Sequence, residues 1–168
     1  MVSLRENAKT ERRLQFKPNS MHIKRLINEQ LGELLIKRGI INQSQLEKGL
    51  ATQREKGGLI GEILVELGFV KEDDIAQSLT AQYGFPFLPL SNYDINPEVI
   101  SIIPCRVARQ YLLIPIDKIG NNLTIAMSNP LNVHAVEDVE LLSACSVQTF
   151  VSTSSDIKRA IEKYYKEK

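Results

Sequence analysis

Glycine and glutamine recur at matching positions in this chain, and they are the residues best suited to bind a polar ligand. Gly32 recurs as Gly61 and Gln53 recurs as Gln82, each pair 29 positions apart by subtraction. Glycine in a first helical turn costs roughly 1 kcal/mol relative to alanine. In exchange, it lets another group approach the backbone and the free N–H donors of a helix start, which suit phosphate. Glutamine can hydrogen-bond a base edge. Two such sets match a ligand with two equivalent halves, such as a cyclic dinucleotide.

The residues around these positions predict a duplicated pair of helices. Between residues 25 and 84, apolar side chains recur at intervals of three and four, the period of an amphipathic helix. The first helix of each copy is expected to end at a glycine, Gly39 or Gly68, which can adopt the left-handed conformation.

The remainder of the chain has a different pattern. Prolines follow residue 85, and two extended runs flank Asn121 and Asn122, which tolerate the positive φ of a hairpin turn. A helix, a strand and a final helix N-capped by Ser154 or Ser155 come next. The predicted fold class is α+β, in which a duplicated helical-hairpin subdomain precedes a small α+β subdomain with about three antiparallel strands.

The same patterns divide the chain into three segments. Residues 1–24 form a charged tail, expected to be solvated, with a basic anchor as the alternative. The helical subdomain spans residues 25–84, with its copies at 30–53 and 59–82, and the α+β subdomain spans 85–168.

Composition excludes several classes of protein. The 21 basic and 20 acidic residues leave a net charge of +1, so neither DNA nor RNA is an expected partner. No run of about 18 apolar residues occurs, so no transmembrane segment is predicted, and the first residues lack the apolar core of a secretory signal. The two cysteines are too few for a disulfide framework, which favours the cytoplasm.

No motif for catalysis or metal binding is present. The chain lacks a GxxxxGK phosphate loop and the GxSxG, HExxH and CxxC patterns. His22 and His134 stand apart from other metal-ligating residues. Asp73 and Asp74 are explained by the dipole of the helix that they begin. We therefore expect no enzyme, no catalytic residue, no metal site and no cofactor.

The two copies resemble the tandem motif of the MshEN domain, found at the N-terminus of type II secretion and type IV pilus assembly ATPases. That motif runs RLGxxLxxxGxxxxxxLxxxLxxQ twice, and this chain repeats its lengths of 24, five and 24 residues. The likeness continues through YGFPF, LLIPI and LTIAMSNPL to the last helix. It implies that the chain binds the bacterial second messenger cyclic di-GMP and transmits that state to an assembly motor.

Carried over by position, the resemblance assigns ligand contacts to both copies and to one later residue: Gln30, Leu31, Gly32, Leu46, Leu50 and Gln53 in the first copy, Leu59, Ile60, Gly61, Glu62, Ile75, Leu79 and Gln82 in the second, and Asn129. The aliphatic side chains would pack on guanine, the glycines would admit the sugar-phosphate ring, and the glutamines would hydrogen-bond. Gln30 and Leu59 depart from the motif, which has arginine there. Asn129 stands where the family often has an aspartate, and it could accept from guanine only through its carbonyl.

These features predict a stand-alone cytoplasmic module that binds cyclic di-GMP and acts on a protein of the secretion or pilus machinery. Lys24, Arg25 and Arg54 lie near enough in sequence to replace the missing arginines, or they are ordinary surface charges. The alternative is a protein–protein interaction adaptor of the same fold with a degenerate nucleotide pocket. If the chain is a fragment of a longer ATPase, the prediction for the domain is unchanged.

Overall fold

Helices dominate the first part of the fold, and a sheet with flanking helices forms the second. The computed structural model describes residues 30–166. The charged tail predicted over 1–24 lies outside these residues, as do Lys24 and Arg25. In chain order the elements are α1 (30–37), α2 (Gln43–Lys56), α3 (Ile60–Glu66), α4 (Glu72–Tyr83), α5 (Pro97–Ile100), α6 (Cys105–Tyr111), β1 (Leu113–Ile119), β2 (Asn122–Met127), α7 (Val133–Ser143), β3 (Ser146–Val151) and α8 (Ser154–Tyr164).

The duplicated helical hairpin is confirmed in α1 to α4. Gly39 follows α1 with φ +71°, and Gly68 follows α3 with φ +73°. Both glycines therefore reverse the chain in the left-handed conformation, which a β-carbon disfavours. Leu35 and Leu64, which occupy equivalent positions in the two copies, are both fully buried.

The second helix of each copy begins with a different N-cap. Asn42 Oδ1 accepts from the Gln45 N–H and Gln45 Oε1 accepts from the Asn42 N–H, each at 2.9 Å. That reciprocal pair is a complete capping box at the start of α2. At α4 the N-cap is Lys71, whose side chain has no acceptor, and only Asp74 Oδ2 returns a bond, to the Lys71 N–H at 3.3 Å. One first-turn donor of α4 therefore lacks the side-chain partner that its counterpart in α2 has.

Lys71→Asn is expected to raise the free energy of unfolding by about 0.5–1 kcal/mol, because asparagine would complete this capping box. Lys71 is exposed and its backbone is extended, with φ −96° and ψ 152°, as an N-cap requires. Urea denaturation followed by circular dichroism measures the change. Lys37→Asn, at an exposed position inside α1, is the control and should give no gain. Equal stability of the Lys71→Asn variant and the unchanged chain would contradict the prediction.

The sheet has the order β1-β2-β3 and is mixed. Strands β1 and β2 are antiparallel, whereas β2 and β3 pair in parallel from Asn122↔Ser146 to Met127↔Val151. The prediction of antiparallel strands is therefore wrong for β3. The cause is α7, which crosses from the end of β2 back to its beginning, so that β3 starts beside the start of β2.

The hairpin between β1 and β2 is present, but its turn differs from the prediction. Ile119 pairs with Asn122, which leaves Gly120 and Asn121 as the turn. The residue with positive φ is Gly120, at +58°, and Asn122 is already the first residue of β2. A glycine at the first central position suits a hairpin turn because it has no β-carbon to clash.

Helix α8 is capped one residue earlier than predicted. Thr153 Oγ1 accepts from the Asp156 N–H at 3.3 Å, so the N-cap is neither Ser154 nor Ser155. The Ser155 hydroxyl instead donates to Glu72 Oε1 at 2.9 Å, and the Ser155 N–H donates to Glu72 Oε2 at 3.1 Å. A carboxylate of α4 thus accepts from the positive end of α8.

Two buried apolar clusters interlock at the junction of the two parts. The first cluster lies in α1 to α4 but includes Leu131 and Val151 from the later part of the chain. The second cluster surrounds the sheet, and Leu59, the N-cap residue of α3, packs against it. These exchanged side chains hold the second helical copy against the sheet. The candidate site lies at this contact.

Candidate functional site

A narrow cleft lies where the second helical copy meets the α+β part. Its enclosed volume is about 40 Å³, far below the roughly 300 Å³ at which ligand pockets begin. A nucleotide could enter only if the walls moved apart. One wall comes mainly from the second copy and is largely aliphatic, and the other carries hydroxyl and amide groups. The lining residues are Leu31, Leu59, Ile60, Gly61, Glu62 and Ile75 on the first wall, and Tyr111, Ser128, Asn129, Asn132 and Ser154 on the second.

The cleft brings together half of the predicted ligand contacts. They come from three separate stretches of the sequence: Leu31 in α1, residues 59–62 with Ile75 in the second copy, and Asn129 in the loop after β2. Tertiary folding alone makes them neighbours. Their roles toward a ligand stay predictions.

The two motif glycines have different surroundings. A β-carbon built on Gly32 would lie 2.6 Å from Leu46 Cδ1, so the side chain of Leu46 already fills that space. A β-carbon on Gly61 would lie 3.5 Å from both Ile75 Cδ1 and Leu31 Cδ2, which is ordinary contact. Room for a close approach therefore exists at Gly61 and is taken up at Gly32.

The other predicted contacts lie outside the cleft lining. Gln53 Nε2 donates to the Gly58 carbonyl at 2.9 Å, which ties the end of α2 to the spacer. Leu79 is fully buried in the helical core and Leu50 packs partly against it. Gln82 is exposed near the end of α4. The predicted residues that do not line the cleft are Gln30, Gly32, Leu46, Leu50, Gln53, Leu79 and Gln82.

The asparagines of the second wall present hydrogen-bond donors. Asn129 Oδ1 accepts from the Leu131 N–H, and Asn132 Oδ1 accepts from the Ala135 N–H, each at 3.2 Å. A backbone N–H can only donate, so the atom that faces it is the amide oxygen. Each NH₂ group is then oriented away from that backbone N–H as a donor for a ligand, and each oxygen keeps a second lone pair. The expected role of Asn129, acceptance through its carbonyl, would use the second lone pair of an oxygen that already accepts from Leu131.

Sequence reasoning missed four lining residues. Asn132 could have been predicted from the sequence, because an asparagine before an amphipathic segment is a common N-cap. It also lies close to Asn129 in the sequence. Ser128 belongs to the same loop. Tyr111 and Ser154 have no such signal, since they reach the cleft only through the packing of α6 and α8.

Among residues 30–166, the charged side chains at the cleft are those of Glu62 and Lys158. The buried Oε1 of Glu62 has no well-formed hydrogen bond among residues 30–166, but it is in direct contact with the Lys158 ammonium of α8. The pKa of Lys158 is raised chiefly by this close contact with the Glu62 carboxylate, against a smaller lowering by burial. None of the lining residues in the described part of the chain is a lysine or an arginine. The cleft wall therefore carries one carboxylate, Glu62, whose charge is balanced by Lys158 at the edge of the cleft.

Tyr111 holds α6 against α7 beside the cleft. Its hydroxyl donates to Asp138 Oδ2. Burial, as the larger cause, and this hydrogen bond together raise the pKa of Tyr111 to about 12. The folded pKa of Tyr111 lies above the ordinary value of 10. The contribution of the protonated Tyr111 hydroxyl to the free energy of unfolding is therefore complete below pH 10 and is lost as the pH rises through 12. At neutral pH the phenol stays protonated and occupied by Asp138.

The part of the chain that the structure describes contains neither a group of metal ligands nor a membrane-spanning helix. No three histidine, cysteine, aspartate or glutamate side chains there come together in a group that could hold a metal ion. No helix there is long and apolar enough to cross a membrane.

Known proteins are similar to this chain in both sequence and fold. The family model of the MshEN domain matches residues 83–168. The type IV pilus assembly ATPase PilB of Myxococcus xanthus is 37% identical over 138 residues, which are 82% of this chain and 24% of that protein. The type II secretion system protein E of Xanthomonas campestris pv. campestris is 25% identical over 137 residues, 79% and 24% of the two chains. The chain thus spans about a quarter of the length of these relatives.

Solved structures agree. A structure of MshE with cyclic di-GMP (cdg) has a TM-score of 0.62 and 28% identity, and the match covers 80% of this chain and 98% of that one. The N-terminal domain of XpsE has a TM-score of 0.69 with 20% identity, over 83% and 96% of the two chains, and shows the fold alone. The resemblance drawn from the tandem motif is confirmed. The chain belongs to the MshEN domain family.

Proposed function

We propose that this chain is a regulatory module that binds cyclic di-GMP in the cleft and passes that state to a pilus-assembly or secretion ATPase. The observation that carries the proposal is the convergence of Leu31, residues 59–62, Ile75 and Asn129 on one cleft. The likeness to MshE, which was solved with cyclic di-GMP, supports it. The proposal places the chain in the cytoplasm and assigns it no catalytic step.

The cleft wall has groups that match guanine and phosphate. Leu31, Ile60 and Ile75 offer aliphatic surface for the face of a base, and Gly61 leaves the backbone open to close approach. The Glu62 carboxylate can accept from guanine N1–H and N2–H₂ at the same time, as a bidentate acceptor. The asparagine NH₂ groups of the opposite wall can donate to phosphate oxygens.

Opening of the cleft is the step that could transmit binding. Two polar contacts join the helical part to α8 beside the cleft: Glu62 with Lys158, and Glu72 with Ser155. Because the enclosed volume is about 40 Å³, a guanine cannot enter while both walls keep their positions. Binding is therefore expected to change the arrangement of α3 and α4 relative to α8, which a motor domain could detect.

Glu62→Gln tests the guanine contact. The unchanged chain is expected to bind cyclic di-GMP in titration calorimetry and to reject cyclic di-AMP, whose adenine edge has one acceptor and one donor. The variant should bind cyclic di-GMP about 10- to 100-fold more weakly, because an amide NH₂ would face a guanine donor. It should also discriminate less against cyclic di-AMP. Equal affinity of both proteins for cyclic di-GMP would remove Glu62 from the site.

A second candidate function is a protein–protein interaction adaptor with a degenerate cleft, and a separate groove favours it. The groove lies along α4 and is lined by Ala76, Thr80, Ala81 and Phe87 together with Asp73 and Gln77, with a volume of about 310 Å³. Phe87 is 44% exposed, and the buried Thr80 hydroxyl has no hydrogen-bond partner among residues 30–166. The absence of heat with cyclic di-GMP on the order of 50 µM would favour this function.

A further inference from the structure

The proposed ligand needs positive charge, which the cleft lining within residues 30–166 does not supply. Cyclic di-GMP carries two phosphates, and no lining residue among those that the structure describes is a lysine or an arginine. The motif positions that have arginine in the family are Gln30 and Leu59 here. Glu62 adds a negative charge to the same wall. A dianion in a partly buried cleft is unfavourable unless a cation accompanies it.

Lys158 lies where such a cation is needed. Its ammonium contacts Glu62, a cleft residue, across the junction between α8 and α3. Ser154, four positions earlier on the same face of α8, also lines the cleft. The side chain of Lys158 is 55% exposed, so its flexible four-carbon stem can turn without disturbing the core.

The other ion pairs that the structure gives for α8 point elsewhere. Arg159 pairs with Asp156 of its own helix, and Lys163 pairs with Asp94 at 3.5 Å. Neither carboxylate belongs to the cleft lining. Lys163 is 60% exposed, close to the value for Lys158, which makes it a matched reference on the same helix.

We propose that Lys158 is a ligand-binding residue whose ammonium neutralises a phosphate of the bound dinucleotide in place of the absent motif arginines. This inference rests on the proposed function of the cleft. Nothing in the tandem motif points to it, because Lys158 lies 76 positions after Gln82, the last motif residue, by subtraction.

Binding of guanine frees the Lys158 ammonium for a phosphate. When guanine takes both oxygens of Glu62, the ammonium is displaced from that carboxylate and turns to a phosphate oxygen. A lysine that served only to latch α8 to α3 would instead compete with guanine for Glu62. Removing that competitor would strengthen binding.

The test is titration calorimetry with cyclic di-GMP on the full chain, at low and high salt. We expect Lys158→Gln to bind about tenfold more weakly, the order expected when one charge-assisted hydrogen bond at a partly exposed position is lost. Its affinity should also depend less on salt. Lys158→Arg should retain most of the affinity, and Lys163→Gln should bind like the unchanged chain.

Equal or tighter binding by Lys158→Gln would overturn the inference and leave the proposed function standing. Thermal unfolding of each variant shows that the fold is kept, which the exposure of Lys158 leads us to expect. Absence of binding by the unchanged chain would refute the proposed function, and the inference with it. The two failures are therefore distinguishable in one set of titrations.

Discussion

Gly61→Ala is expected to weaken cyclic di-GMP binding about 10- to 100-fold while raising the free energy of unfolding by up to about 1 kcal/mol. The added methyl group would lie 3.5 Å from Ile75 Cδ1 and Leu31 Cδ2, so the folded chain can accept it without a clash. Alanine also favours a helix more than glycine does. The methyl group would occupy the cleft wall, however, and keep the ligand from the backbone. Calorimetry and urea denaturation of the same sample measure both effects.

Gly32→Ala is the matched control, because it makes the same change at the equivalent position of the first copy. Its β-carbon would lie 2.6 Å from Leu46 Cδ1 and 2.7 Å from Leu46 Cδ2, and Leu46 is buried. Displacing that side chain should lower the free energy of unfolding by about 1–2 kcal/mol, even after the gain in helix propensity. A Gly61→Ala protein that is stable and binds normally would show that the ligand does not approach the backbone there.

Leu64→Ala is expected to lower the free energy of unfolding by about 3–5 kcal/mol, the largest change in stability that we predict. Leu64 is fully buried in the helical core, and its Cδ2 lies 2.7 Å from the position of a β-carbon on Gly49. Such close packing leaves little freedom for neighbours to collapse into the cavity. The loss is a large share of the roughly 5–15 kcal/mol that stabilises a typical domain. Urea denaturation measures it.

Two leucines provide the comparison for Leu64→Ala. Leu35→Ala, the equivalent change in the first copy, should cost a similar amount because Leu35 is also fully buried. Leu141→Ala, at a position 82% exposed on α7, should change the free energy of unfolding by less than about 0.5 kcal/mol. A cost below about 1 kcal/mol for Leu64→Ala would mean that the core adapts more freely than this packing implies.

Sequence reasoning predicted the local features of the fold correctly. The helices of both copies, the left-handed glycines at 39 and 68 and the hairpin between β1 and β2 all follow from spacing and residue type within a few positions. It failed where a longer connection decides the outcome. The parallel pairing of β3 depends on how α7 crosses the sheet, and the residue types of β3 do not indicate in which direction the strand will pair.

The candidate site, like the fold, was predictable from the sequence in part. The sequence by itself determined the repeat, its family and the set of positions that could contact a ligand, because these depend on residue type and spacing. Only the tertiary structure decided which copy is open. The second copy packs against the sheet, where α6, α8 and the loop after β2 supply Tyr111, Ser154 and Asn129. In the first copy, Leu46 fills the space at Gly32. Equivalent residues differ because a side chain's surroundings depend on its neighbours in space.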